Sequence, residues 1–118
     1  MSHYAAEVGI VKIKKEYRKE FGYLWNREFD KLSAPMFIEF LEDFPNGSNR
    51  AISWCHGDVK TSWVGKYKTS YDEESGMFTY GVYYNEYGNG WEYWGDYKGI
   101  LEEIEEEWFF EDWWDEPG

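Results

Sequence analysis

The chain has 118 residues, one cysteine (Cys55), 23% aromatic residues and a net charge of −12. That length suits one domain over 1–118 that buries a core unaided, and a lone thiol excludes an internal disulfide or a thiolate zinc cluster. The negative field argues against nucleic acid or an anionic membrane as a direct partner; no apolar run is long enough to span a bilayer, no signal peptide is evident, and a cytoplasmic location is expected.

Residues 1–49 are expected to be mainly helical. Ile10, Ile13, Tyr17, Phe21 and Leu24 succeed one another at steps of three, four, four and three, with Leu32 on the same stripe. That is the helical period. Residues 8–14 also read as a short strand, because Val8, Ile10, Val11 and Ile13 are β-branched; the helix is the reading adopted. Ser33-Ala34-Pro35 then signals a second helix, with proline in its first turn. Phe37, Phe40, Leu41 and Phe44 give it an apolar face, and the turn residues from Pro45 to Asn49 end it.

From Arg50 the period changes to two. Strands are expected at about 50–56, 60–71, 77–87 and 91–97, joined by Gly57-Asp58, by Asp72 to Gly76 and by Gly88-Asn89-Gly90. Glycine and asparagine tolerate the positive φ of hairpin turns, so 50–97 reads as an antiparallel meander. Aromatics stand on both of its faces: Trp63, Tyr67 and Tyr71; Tyr83 and Tyr87 against Phe78, Tyr80 and Tyr84; Trp91, Tyr93 and Tyr97 against Trp94. Either both faces are covered or one binds a ligand.

Gly99 is expected to open a last helix. Ile100, Leu101, Ile104 and Trp108 share one arc of about 100°, with Glu102, Glu103, Glu106 and Glu107 off it. Beyond Trp108 the register fails, because Glu111 and Asp115 would land on the core stripe and Phe109, Phe110, Trp113 and Trp114 opposite it. The segment 99–116 is therefore an acidic, aromatic helix and tail whose end leaves the helix or needs a second partner. The expected fold class is α+β: two N-terminal helices, a four-stranded antiparallel meander sheet and a C-terminal acidic helix packed on it.

The charge is unevenly placed. Residues 1–68 are net +2, whereas 69–118 are net −14 with Lys98 as their one basic residue. Residues 104–118 alone hold five large aromatics and seven acidic side chains, with no Lys or Arg. Carboxylates in an ordered array can stand where phosphates stand on a nucleic acid, and aromatics supply most interface anchors. The candidate partner-binding residues are Glu103, Glu106, Glu107, Phe110, Glu111, Asp112, Trp113, Trp114 and Asp115. The bland alternative folds these aromatics over an open sheet face of the same molecule, leaving the acids as its wet side.

Other constellations are weaker. Cys55 and His56 are neighbours on an expected strand and would point to opposite faces, so they form no dyad. Asp72, Glu73 and Glu74 lack the spacing of a calcium loop and read as a hairpin tip. Lys60, Lys66 and Lys68 suit cross-strand pairing with Glu86, Glu92 and Asp96. No catalytic motif, metal set or cofactor is indicated.

The expected function is that of a non-catalytic acidic inhibitor, a monomer or dimer, that binds and blocks a basic protein acting on nucleic acid. In size and charge, though in no motif, the chain resembles phage anti-defence proteins such as anti-CRISPR inhibitors, and immunity proteins that neutralise nuclease toxins. A module binding sugars or nucleotides through the sheet aromatics is the alternative; an enzyme with a carboxylate pair ranks last.

Overall fold

The computed structural model describes residues 4–42, 59–61, 65–67, 69–85 and 89–115. Its first element is the strand β1, Tyr4–Ile13, in place of the helix expected from Ile10. The helical spacing there is coincidental. Ala5, Val11 and Ile13 face the main core, while Ala6 and Val8 on the other face are also fully buried. A strand covered on both faces has no alternation to read, and its β-branched residues favour the pleat. Helix α1, Arg18–Trp25, starts only after a single 3-10 turn at Lys15–Tyr17, and a second such turn comes at Phe29–Lys31.

Helix α2, Pro35–Glu42, begins at the proline that predicts it. Glu20 of α1 accepts the amides of Ser33 and Ala34 just ahead of it, which ties the two helices. The strand expected over 60–71 is three short pieces: β2, Val59–Thr61, and β3, Gly65–Tyr67, pair with each other, and β4, Ser70–Asp72, joins the main sheet. The strand expected at 50–56 lies outside the described residues, as do Cys55 and His56.

β4 turns into β5, Met77–Asn85, through the expected hairpin tip. Asp72 accepts the Ser75 hydroxyl at 2.6 Å and its amide at 3.2 Å. Those two bonds hold the Asp72 carboxyl below its ordinary pKa. Gly76 adopts φ 77°, where a side chain would be strained, and its amide donates to the Asp72 carbonyl at 2.8 Å.

The stretch read as a fourth strand, 91–97, belongs instead to helix α3, Asn89–Ile104. Aromatic content favours a strand, but Trp94, Tyr97, Leu101 and Ile104 recur at steps of three, four and three and are all buried. Gly99 does not open this helix; it and Gly95 sit on its exposed side. The helix ends at Ile104, where the Lys14 amide takes its last carbonyl at 2.8 Å and the Lys14 ammonium that of Glu103 at 3.4 Å. The chain continues directly as strand β6, Glu105–Asp115, so the helix expected from Gly99 through Trp108 stops at Ile104, and the tail beyond Trp108 leaves the helix, one of the two courses its broken register allows.

The fold is α+β, as the sequence implies: among the described residues three helices and a four-stranded antiparallel sheet, with the last helix packed on the sheet. The sheet order is β4-β5-β1-β6, so only β4 and β5 keep the expected meander, β1 is central and β6 forms an edge. The core lies between this sheet and the helices, where Phe21 of α1 meets Phe78 of β5 at 4.9 Å and Phe40 of α2 meets Tyr97 of α3 at 5.4 Å. No helix among the described residues is long and apolar enough to cross a membrane.

Candidate functional site: an acidic, aromatic edge strand

β6 pairs antiparallel with β1 from Ala5↔Asp115 to Ile13↔Glu105. Residues directly opposite on such strands point to the same face. The register slips twice. Phe109 is an extra residue between the pairs Val11↔Trp108 and Ile10↔Phe110, and Glu106 is extra between Lys12↔Glu107 and Ile13↔Glu105. The first bulge resolves the broken pattern past Trp108. It sends Trp108 to the core face, where its ring meets Tyr80 edge-on at 5.8 Å, and sends Phe110 to the opposite face beside Ile10.

The second bulge aims Glu106 at two cations, Lys12 at 3.1 Å and Arg18 at 3.8 Å. Arg18 also donates to the carbonyls of Ile13 at 2.8 Å and Glu74 at 3.1 Å. One guanidinium thereby joins the end of β1, the β4–β5 turn and the start of β6.

Beyond its bulges β6 lies over a buried carboxylate. Glu7 of β1 is only 5% exposed. It accepts the Tyr80 hydroxyl at 3.1 Å and the Trp94 indole N–H at 3.2 Å, and it pairs with Lys98 of α3 at 2.9 Å. Lys98 reaches on to Glu111 of β6 at 3.3 Å. Burial alone would lower the Lys98 pKa, but contact with the Glu7 and Glu111 carboxylates outweighs it and raises the ammonium above its ordinary value. Burial, then the charges of Glu7 and Glu111, push the Tyr80 phenol well above its ordinary 10.0. Gly9 makes room for this: a Cβ there would lie 2.4 Å from the Tyr80 hydroxyl oxygen.

Nothing in the sequence pattern names this cluster, though two signals point to it. Glu7 is the one charged residue between Ala5 and Val11, and Lys98 is the one cation after residue 68. A lone charge inside an apolar strand has to find a partner.

The candidate partner-binding residues fall into distinct groups. Glu106 and Glu111 are engaged by cations of the same chain, and Glu103 is exposed at the end of α3. Glu107 is exposed opposite Lys12; among the described residues it has no ion pair. Phe110 and Trp113 are 38% and 46% exposed, and Phe109, which the sequence analysis sets off the core stripe but not among the candidate contacts, is 52% exposed. The Asp112 carboxylate accepts the Trp113 amide at 2.9 Å. The backbones of Trp114 and Asp115 stand opposite Ala6 and Ala5; their side chains lie outside the described residues. So among the described tail aromatics only Trp108 closes over its own core.

The sheet aromatics behave differently. Phe78, Tyr80, Trp94 and Tyr97 are interior, and Tyr71 is half-buried with its hydroxyl donated to the Arg18 carbonyl at 2.6 Å. None of these five forms an open stacking platform. Trp63, Tyr67, Tyr83, Tyr84, Tyr87, Trp91 and Tyr93 fall outside the described side chains. Among the described residues no group of three or more His, Cys, Asp or Glu is placed to hold a metal ion. Comparison with protein-family models, curated proteins and solved structures finds no match to this chain.

Proposed function

We propose that the protein is a non-catalytic, cytoplasmic binder that occludes the nucleic-acid-binding surface of a basic partner, with β6 as its contact strand. The observation that carries this reading is the exposure of Phe109, Phe110 and Trp113 on an edge strand that also bears six carboxylates and no cation. Exposed aromatics on both faces of one edge strand supply anchors for a contact, and the surrounding negative charge selects a positive partner and speeds its approach. The acids answer a further need. An open edge bearing aromatics would pair with other copies of itself, and like charge along the edge prevents that. Stickiness and repulsion thus share one strand, because the strand is meant for a partner of opposite charge.

The partner is of the kind a phage anti-defence inhibitor or a toxin-immunity protein would meet, a nuclease or another nucleic-acid-binding effector. The test is capture on the immobilised protein and then competitive elution. A short DNA or RNA duplex should release the captured basic protein at constant ionic strength. Release by salt but not by any nucleic acid places the contact away from the partner's nucleic-acid site and refutes mimicry.

A further inference from the structure

We infer that the groove between α2 and α3 is a second docking site, which takes a short amphipathic helix whose apolar stripe is flanked by Lys or Arg. The site uses no residue of β6, so it stands whether or not β6 is a contact strand.

Met36, Glu39 and Phe40 of α2 face Gly95, Gly99, Ile100 and Glu103 of α3 across a groove of about 310 Å³. Each set recurs at helical spacing and forms one face of its helix. Phe40 and Ile100 are both buried and make the floor, with Met36 half-buried beside them. α2 has eight residues, so at helical rise the groove runs for about 12 Å, the length of about two helical turns.

The two glycines have no purpose within the chain. Glycine is among the poorest helix formers, and α3 carries a pair of them one turn apart. At Gly9 and Gly76 a Cβ would collide with atoms of the same chain, which accounts for glycine there. At Gly95 and Gly99 a Cβ would meet nothing within 4 Å. A bare backbone ridge beside an apolar floor is what lets a third helix come close and seat its side chains in the groove.

Charge decides which helix. Glu39 stands on the α2 wall and Glu103 on the α3 wall, both exposed, and neither side chain has an ion pair among the described residues. An apolar stripe with a cation on each side matches this arrangement, and an acidic helix is repelled by it. Anchors one turn apart on such a helix would fill the floor at Phe40 and Ile100.

The probe is a blocked, labelled peptide of about sixteen residues, long enough to form a helix, with leucines along one stripe and lysines on both flanks. Its control has the same sequence with D and L residues alternating, which keeps charge and composition but forbids the helix. Fluorescence anisotropy at low salt reads binding to the intact protein, and NMR shifts locate it. The all-L peptide should bind and move the amides of α2 and α3 around Phe40 and Gly99, and the control should not. Gly95→Leu with Gly99→Leu should weaken binding by about tenfold or more while the melting temperature holds or rises, because leucine is the better helix former. Glu39→Gln with Glu103→Gln should weaken binding and its salt dependence together. Equal binding of the two peptides, or undiminished binding by the leucine variant, overturns the inference. So do shifts confined to β6, which would leave β6 standing as a contact. A lower melting temperature in the leucine variant would show that the glycines serve packing within the chain, and overturns the inference as well.

Discussion

Glu7 joins three elements through one carboxylate. Tyr80 of β5, Trp94 and Lys98 of α3, and through Lys98 also Glu111 of β6, all converge on it. Removing one partner of a buried ion pair leaves the other charge stranded. Lys98→Ala should therefore destabilise the fold by about 3 kcal/mol, whereas the double change Glu7→Gln with Lys98→Met should cost clearly less. Urea titration of both variants checks this. Gly9→Ala drives a methyl into the Tyr80 phenol and should cost about 1–3 kcal/mol by overpacking. The same cluster sets an alkaline limit. The folded-state pKa values of Lys98 and Tyr80 are raised, so the stability they contribute is complete below the unfolded values near 10 and is lost as pH rises beyond them. Thermal melts should stay level from neutral pH to about 10 and fall above it.

The element scale is where the amino-acid pattern and the fold part company. α2 was legible because a proline and an apolar face agree, and β5 because its flanking turn signals are strong. β1 was not, because burial on both faces erased its alternation. α3 and β6 exchanged identities for related reasons. Aromatics disguised the first half of α3 as a strand, and the bulge at Phe109 removed the period of two from β6. What the pattern did carry was the break itself, since it placed Trp108 in the core and Trp113 outside it.

The buried stripe of α3 gives a sharp contrast: Ile104→Asp should destabilise by several kcal/mol, and Glu103→Lys by less than about 0.5. Equal melting temperatures for the two would refute the helix phase. Truncation is a different matter. Deleting 109–118 should not leave a sound domain, because it strips the partner strand from β1 between Ala5 and Ile10. Circular dichroism of the truncated chain should report loss of folded structure, and retention of the native spectrum would show that β6 is dispensable to the sheet.

At the scale of the whole molecule the charge asymmetry has a structural form. The nearly neutral first half supplies β1, α1 and α2, and the strongly acidic second half supplies α3 and the edge strand β6. The cations Lys12, Arg18 and Lys98 hold down Glu106 and Glu111, while Glu102, Glu103, Glu107 and Asp112 stand exposed. The net effect of salt is set by this imbalance. Screening the excess repulsion should raise the melting temperature between low and moderate NaCl. A fall would mean that the attractive pairs dominate. The candidate surface was legible in composition, since density of acids beside aromatics is visible without a fold. Its shape was not, because only the pairing with β1 makes Phe109, Phe110 and Trp113 the outward features of an edge.

The central claim, that β6 is a contact surface rather than a structural margin, is tested most directly by Asp112→Lys combined with Trp113→Ser. Thermal melts and circular dichroism first establish that the variant keeps the wild-type fold. Each form is immobilised and used to capture protein from a lysate at low salt and again at high salt. The expected result is that the wild type retains a basic, nucleic-acid-binding protein at low salt and releases it at high salt, and that the variant retains none. Undiminished retention by a variant that melts like the wild type would contradict the claim.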